Sequence, residues 1–203
     1  MKKIGLLLLG CLCVGACATW HVQPCGQKLV RPYFFEQGEQ LAAFYMQADL
    51  RGQRLEGVLQ IKKQDEKTYL VDLFSAAGGY RIFQVELTRQ NAQYLFMMPA
   101  ADRAVVRSKT TQFLQLLLFP AQTEVGCRTT LDAHYVYYKQ PSMRYVYAPE
   151  QIYPNEVQKQ KTFGHVHLNF AEYELYEDGQ LPQQLHYQDG SVQLTLTLLR
   201  LKK

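Results

Sequence analysis

The sequence lacks the features that usually mark an enzyme or a nucleic-acid-binding protein. It has no G-x-S-x-G nucleophile motif, no glycine-rich phosphate loop and no dinucleotide fingerprint. The net charge is also small. The 22 Lys and Arg residues are almost balanced by 18 Asp and Glu residues, which leaves a net charge of +4. Such a balance disfavours a basic nucleic-acid surface. We therefore expect a protein that is not an enzyme, with no cofactor and no nucleic-acid partner.

The one long apolar run lies at the N-terminus and is too short to be a permanent anchor. It follows Lys2 and Lys3 and covers about a dozen residues, whereas a spanning helix needs about 20. A cationic start, an apolar stretch and small residues are typical of a secretory signal. Its end, Val14-Gly15-Ala16-Cys17, resembles the lipobox of bacterial lipoproteins, which implies removal of residues 1–16 and a lipid on Cys17. An ordinary signal peptide, cut after a small residue, is the alternative.

Cysteine is sparse once the signal is removed. Cys11 and Cys13 leave with the signal, and Cys17 carries the lipid. Only Cys25 and Cys127 remain, and neither lies in a C-x-x-C pattern, which disfavours redox catalysis. In an exported protein two such thiols are able to pair. A Cys25–Cys127 disulfide and two free thiols therefore both stay open.

The rest of the chain is divided into a tether and one domain. Residues 17–38 carry prolines and glycines without periodicity, which indicates a linker between the lipid and the folded body. The chain is 47% hydrophobic and 20% charged, an ordinary globular composition. We predict a single domain over residues 39–203.

Alternation of apolar and polar residues predicts five consecutive strands between residues 41 and 98. The first two form a hairpin around Arg51-Gly52-Gln53, and Pro99 ends the fifth. Polar turns without intervening helices indicate an antiparallel meander, because parallel crossovers need about a dozen residues or more. Strand parity places eight apolar residues on the inward face: Phe44, Met46, Leu59, Ile61, Val71, Leu73, Phe83 and Val85.

A helix and a second group of strands follow. Asp102 is predicted to cap the helix and Pro120 to end it, and its apolar residues at spacings near three and four include Phe113, Leu114 and Leu117. Period two then returns in four or five strands, which include residues 143–147 and 166–170 and end in a hairpin with an Asp189-Gly190 turn. The first of these strands carries alternating apolar residues: Leu131, Ala133, Tyr135 and Tyr137.

Together these elements predict a mainly β fold of the α+β class. Eight to ten strands in one antiparallel sheet would twist and curl into an open half-barrel, with the helix on its concave face. Phe113, Leu114 and Leu117 would then face the inward strand residues across a ligand cavity.

Three further patterns are candidate sites. His165-Val166-His167 places two imidazoles on one strand face, but no third ligand is evident, so we expect no metal. Glu172 and Glu174 lie on one strand face in the same way and are interpreted as solubilising edge residues, with an acid/base pair as the alternative. The second half is rich in tyrosine, which suits a cavity mouth or a partner surface, with ordinary strand propensity as the alternative: Tyr135, Tyr137, Tyr138, Tyr145, Tyr147, Tyr153, Tyr173, Tyr176 and Tyr187.

The early strands carry a family resemblance. The segments GQRLEGVLQIKK (52–63), YLV (69–71) and GYRIFQVE (79–86) resemble consecutive strands of the LolA/LolB-like superfamily of periplasmic lipoprotein carriers, outer-membrane lipoprotein receptors and other bacterial lipoproteins. The likeness covers residues 41–119 well and 181–198 loosely. It implies an incomplete barrel capped by helices, whose cavity accepts acyl chains of lipoproteins or similar amphiphiles. One departure is the turn after the third strand, Ser75-Ala76-Ala77-Gly78-Gly79, which lacks the receptors' bulky apolar residue for membrane insertion.

We therefore expect a lipid-anchored, periplasm-facing protein that binds an acylated or amphiphilic ligand, in lipoprotein transfer or outer-membrane assembly. The absence of Asp at position 18, by resemblance to enterobacterial sorting, implies passage to the outer membrane. The alternative is a structural lipoprotein whose cavity is a filled core and whose tyrosine-rich surface meets a protein partner.

Overall fold

The protein is a β-sheet protein with one helix in the part of the chain that the structure describes. The structure is a computed structural model and describes residues 35, 40–50, 52–121, 124–138, 142–149, 151, 153–162, 164–176 and 179–202. The helix is α1, Ala104–Leu118. The strands are β1 (Leu41–Leu50), β2 (Gln53–Lys63), β3 (Tyr69–Ser75), β4 (Arg81–Leu87), β5 (Ala92–Met97), β6 (Glu124–Thr129), β7 (His134–Tyr138), β8 (Met143–Tyr147), β9 (Glu156–Gln160), β10 (His165–Tyr176), β11 (Gly179–Asp189) and β12 (Val192–Lys202).

All twelve strands form one antiparallel sheet. Its order is β5-β4-β3-β2-β1-β12-β11-β10-β9-β8-β7-β6, so β1 and β12 pair in the middle and β5 and β6 are the two edges. The edges are not paired with each other, and the sheet is therefore an open half-barrel, which confirms the predicted fold class. We call β1–β5 the first half of the sheet and β6–β12 the second half.

Helix α1 joins the two edges of the sheet. It follows β5 and precedes β6, and its 15 residues span about 22 Å. Its C-terminal half is apolar and buried, and comprises Phe113, Leu114, Leu116, Leu117 and Leu118. The helix ends before Pro120, as predicted, and lies against the concave face of the sheet.

The predicted N-cap of α1 is wrong. Arg103 occupies the cap position, and no side chain caps the helix there. Asp102 instead accepts two hydrogen bonds from Arg107, at 2.6 Å to Nε and 2.9 Å to Nη2. Because its two oxygens bind the guanidinium, Asp102 stabilises the first turn as a charged pair.

The second half of the sheet differs from the prediction in its number of strands. In the described residues seven strands follow α1, whereas four or five were expected, because β6 and β9 carry too few apolar residues to show alternation. Leu131 does not belong to a strand; it lies in the turn between β6 and β7 and is 97% exposed. In β7 the buried residue is Val136, so Tyr135 and Tyr137 lie at the other parity.

The final hairpin is present, but its turn is shifted by one residue. Asp189 is the last residue of β11 and pairs with Val192, so Gly190 and Ser191 form the turn. Gly190 has a φ of 62°, which glycine adopts without the penalty of a Cβ. Asp189 is consequently a residue of the sheet and not of the turn.

Candidate functional site

The concave face carries the residues predicted to line a ligand cavity. All eight strand residues are buried and at most 6% exposed: Phe44, Met46, Leu59, Ile61, Val71, Leu73, Phe83 and Val85. Phe113, Leu114 and Leu117 of α1 are also buried and belong to the same hydrophobic cluster. The structure brings these residues together between sheet and helix, and we call them the apolar layer. Entry of a ligand into the layer stays a prediction.

The second half of the sheet extends the apolar layer with residues that the sequence did not single out for it. Val136, Val157 and Leu196 are buried in the same cluster. Tyr145, Tyr147 and Tyr187 are buried there too, and the Tyr187 ring lies 5.0 Å from that of Phe113. These three tyrosines are therefore core residues and not part of a partner surface. The half-buried members of the predicted set are Tyr135, Tyr137, Tyr153 and Tyr173.

The buried phenols are neutral groups with hydrogen-bond partners. The Tyr145 hydroxyl accepts a bond of 3.1 Å from the Ala121 amide, and burial raises the pKa of Tyr145 to about 12 against the lowering effect of that bond. The Tyr187 hydroxyl donates to Asp189 at 3.4 Å. Burial, followed by the charge of Asp189, raises the pKa of Tyr187 well above its usual range. Neither phenol ionises near neutral pH.

The first half of the sheet holds α1 through polar side chains. The Tyr94 hydroxyl donates to the carbonyl of Arg107 at 2.9 Å and lies 3.1 Å from the Thr111 hydroxyl. The Arg107 guanidinium stacks over the Tyr94 ring at 4.9 Å. Arg89 donates to the carbonyl of Pro120 at 2.8 Å, just beyond the helix. Both ends of α1 are thus tied to this side.

A buried carboxylate in the second half holds the other side of α1. Asp189 is 6% exposed and forms ion pairs with Lys109 of α1 and with Lys161, whose Nζ lies 2.6 Å away. Burial raises the pKa of Asp189, but hydrogen bonds and charge from the two lysines outweigh burial and lower it. The Asp-Gly pair in the sequence predicts Asp189 as a turn residue, and this prediction is wrong. The parity of Leu185 and Tyr187 could have placed it on the concave face.

A polar groove opens beside α1, between the two halves of the sheet. Its volume is about 640 Å³, and its walls come from the β4–β5 turn, from β5 and from the end of β9. The helix contributes one polar face to it. The side chains that matter for its chemistry are Arg107, Ser108, Thr111, Gln112, Lys159 and Lys161.

The candidate metal residues His165 and His167 and the carboxylates Glu172 and Glu174 do not form a metal or acid/base site in the described residues. The His165 and His167 rings lie 6.1 Å apart, and His167 Nδ1 lies 2.5 Å from Glu156 Oε1. Among the described residues, no group of three His, Cys, Asp or Glu is placed to hold a metal ion. Glu172 accepts a hydrogen bond from Gln184 at 2.7 Å, and both Glu172 and Glu174 are exposed.

The N-terminal predictions fall mostly outside the described residues. Cys17, Cys25 and the signal segment 1–16 lie there, as does all of the 17–38 tether except residue 35. Cys127 forms a disulfide, so the alternative of a free thiol at this position is wrong, while Cys25 stays its candidate partner. Over the ranges that the structure describes, no helix is long and apolar enough to cross a bilayer.

Comparison with solved structures identifies a LolA-like fold. A LolA superfamily protein from Nitrosomonas europaea matches with a TM-score of 0.58 and 9% identity, over 87% of this chain and 89% of that protein. This similarity confirms the fold that the strand segments predicted.

Two other solved structures are less similar, each with a TM-score of 0.46. One, from Vibrio parahaemolyticus, is named as a domain of an outer membrane lipoprotein-sorting protein; it is 9% identical, over 81% of this chain and 85% of that one. The other is a DUF1329 family protein from Desulfovibrio piger, 8% identical over 82% of this chain and 86% of that one. No family model matches the chain, and neither does any curated protein.

Proposed function

We propose that this protein is a non-enzymatic binding protein of the bacterial envelope, which takes up the acyl chain of a lipoprotein or a similar amphiphile between its sheet and α1. The observation that carries the proposal is the apolar layer, in which both halves of a half-barrel and one helix meet. The LolA-like fold supports it. The acyl chain would insert between the sheet and α1, so uptake requires the helix to move outward from the sheet without leaving its place beside the polar groove.

The contacts of α1 make such a movement feasible. In the described residues, α1 is joined to the sheet by side chains and by no backbone-to-backbone hydrogen bond with a strand. Exposing its five buried side chains would cost roughly 8–15 kcal/mol, at about 1.5–3 kcal/mol for each large side chain. A chain of about twelve methylenes gains on the order of 10 kcal/mol when it leaves water. The two terms are similar, so an acyl chain can replace the helix contacts.

The alternative is a structural lipoprotein, and the burial of the apolar layer supports it equally. Because the residues of the apolar layer are at most 6% exposed, they also suit a permanently filled core. Lipid extraction decides between the two. Purified full-length protein, extracted with organic solvent and examined by mass spectrometry, should release non-covalent acyl lipid if it is a binding protein, and none if the layer is a closed core.

Leu59→Trp tests where the acyl chain binds. Leu59 lies in the middle of the apolar layer and is 1% exposed, so an indole there would take the space that the chain needs. We expect affinity for a fluorescent fatty-acyl probe to fall about tenfold or more, equivalent to about 1.4 kcal/mol. Leu95→Trp, at a half-exposed position of the edge strand β5, is the matched control and should bind the probe normally. Equal binding by Leu59→Trp and wild type would place the chain elsewhere.

The proposal also includes an N-terminal lipid anchor at Cys17 and an outer-membrane, periplasm-facing location. Its support is the lipobox-like Val14-Gly15-Ala16-Cys17 segment and the absence of Asp at position 18. Cys17→Ser should abolish acylation and release the protein from membranes, because stable attachment requires more than one acyl chain. Membrane fractionation and intact-mass measurement check this. A variant that stays on membranes, together with unlipidated wild type, would contradict the anchor.

A further inference from the structure

We propose that the polar groove beside α1 binds a phosphate group, namely the anionic headgroup of the amphiphile whose chain enters the apolar layer. The inference deepens the proposed function and rests on it. Three observations carry it: the charge of the groove, the hydrogen-bonding groups of its helix wall, and its position relative to the apolar layer.

The groove has an excess of positive charge. Arg107, Lys159 and Lys161 line it, and no acidic side chain is among the described residues that do so. Arg107 is paired with Asp102, and Lys161 shares the single carboxylate of Asp189 with Lys109. Lys159 has no ion pair with any described residue. Two carboxylates therefore face four cations in and around the groove, and the site is short of negative charge.

An anion in the groove would stabilise the charged form of Lys159. Its side chain is half-buried, and burial, followed by the charge of Lys161, lowers its pKa. A phosphate beside the two lysines would compensate both effects, because an opposite charge favours the ammonium form. Arg107 could add a further charged hydrogen bond from the helix side.

The helix wall adds neutral groups that are able to donate to phosphate oxygens. Ser108, Thr111 and Gln112 line the groove from neighbouring turns of α1, where residues three and four positions apart share one face. Hydroxyls and amides beside lysines form a suitable lining for a phosphate, which accepts several hydrogen bonds.

The groove and the apolar layer lie on two faces of the same helix. Phe113, Leu114 and Leu117 face the sheet, while Ser108, Thr111 and Gln112 line the groove. A molecule with an acyl chain in the layer would leave the sheet beside α1, where its headgroup meets the lysines. A zwitterionic choline headgroup would place its own positive charge beside the lysines, which repel it. We therefore expect selection for anionic amphiphiles over zwitterionic ones.

The test compares three probes on the full-length protein: myristoyl lysophosphatidylglycerol, myristoyl lysophosphatidylcholine and glycerophosphoglycerol, the headgroup without a chain. Wild type should bind the anionic lipid at least about threefold more tightly than the zwitterionic one, as expected for a partly exposed ion pair. Lys159→Gln should remove this preference, because it should lower affinity for lysophosphatidylglycerol about threefold or more and affinity for lysophosphatidylcholine by less. Lys62→Gln, an exposed strand lysine outside the groove, is the matched control and should keep the preference.

The three probes separate failure of this inference from failure of the proposed function. Equal binding of the two lipids by wild type, or a Lys159→Gln variant that binds both lipids as wild type does, overturns the phosphate site and leaves acyl binding intact. Binding of glycerophosphoglycerol that depends on Lys159, without tighter binding of the lipids, supports a site for free phosphate compounds and overturns acyl binding. If none of the probes binds, both proposals are wrong.

Discussion

The two halves of the sheet differ in what they present to α1. The inward residues of β1–β4 that contact the helix region are aliphatic or aromatic, such as Phe44, Ile61 and Val71, and carry no charge. The second half adds buried tyrosines, the buried carboxylate of Asp189 and the lysines of the groove. The helix is thus packed between the largely apolar inward residues of β1–β4 and a second half that adds a buried charge. This asymmetry suits a ligand with an apolar part and a charged part, and a uniform core would not need it.

The largest expected effect concerns backbone packing in the first half. Gly57 of β2 lies so close to β3 that a Cβ would overlap the carbonyl oxygen of Phe74 and lie 3.0 Å from Leu73 Cδ1. Because the obstacle is backbone, Gly57→Ala must separate the two strands, and we expect a loss of about 3 kcal/mol in the free energy of unfolding, at the upper end for overpacking. Urea unfolding measures it.

Gly78→Ala is the matched control for this prediction. Its Cβ would meet only the ring of Tyr80 at 3.1 Å, and that ring is 53% exposed and free to move. We expect a change within about 0.5 kcal/mol. If Gly57→Ala were equally mild, β2 and β3 of the first half would separate more easily than their close approach indicates.

The next effect tests the polar wall of the second half. Asp189→Asn removes the carboxylate that joins Lys109 of α1 to Lys161. Fully buried pairs lose about 3–5 kcal/mol on removal of one partner, but these lysines are 33% and 26% exposed, so we expect about 2 kcal/mol. Asp102→Asn, which breaks the exposed pair with Arg107, should destabilise the protein much less, because solvent screens this pair. Equal losses in the two variants would show that burial of Asp189 adds nothing.

The same carboxylate predicts a dependence of stability on pH. The pKa of Asp189 is lowered in the folded state, so its contribution is fully present above the unfolded value of about 3.9 and is lost as pH falls through the folded value. The difference in unfolding free energy between wild type and Asp189→Asn should therefore be constant from pH 7 to about pH 5 and shrink below about pH 4. Urea titrations at several pH values measure it. A difference that grows on acidification would contradict the lowered pKa.

The halves also differ in how well the sequence predicts them. In the first half, β1 and β2 pair over ten residues in continuous register, and such length makes alternation visible, so all five strands and the eight inward residues followed from parity. In the second half, alternation predicts β8 at residues 143–147, but β6 and β9 were missed, because their six and five residues include too few apolar side chains to show alternation. The charged residues beside α1 were missed for a different reason. Lys159, Lys161 and Asp189 lie near α1 only because β9, β11 and the helix come together in the fold. No local sequence pattern predicts that proximity.

The smallest expected effect concerns the hydrogen bonds that join the first half of the sheet to α1. Tyr94→Phe removes the bond from the hydroxyl to the Arg107 carbonyl and its contact with Thr111, but keeps the ring under the guanidinium of Arg107. The Arg107 carbonyl keeps its place within the helix, so we expect a loss of only about 0.5–1 kcal/mol in unfolding free energy. If α1 moves to admit an acyl chain, the weaker hold should also speed uptake of the fatty-acyl probe in stopped-flow measurements. Tyr80→Phe, on the exposed β3–β4 turn, should change neither quantity. A destabilised Tyr94→Phe variant with unaltered uptake would mean that the helix does not move on this side, and that a ligand enters past the lysines of the second half.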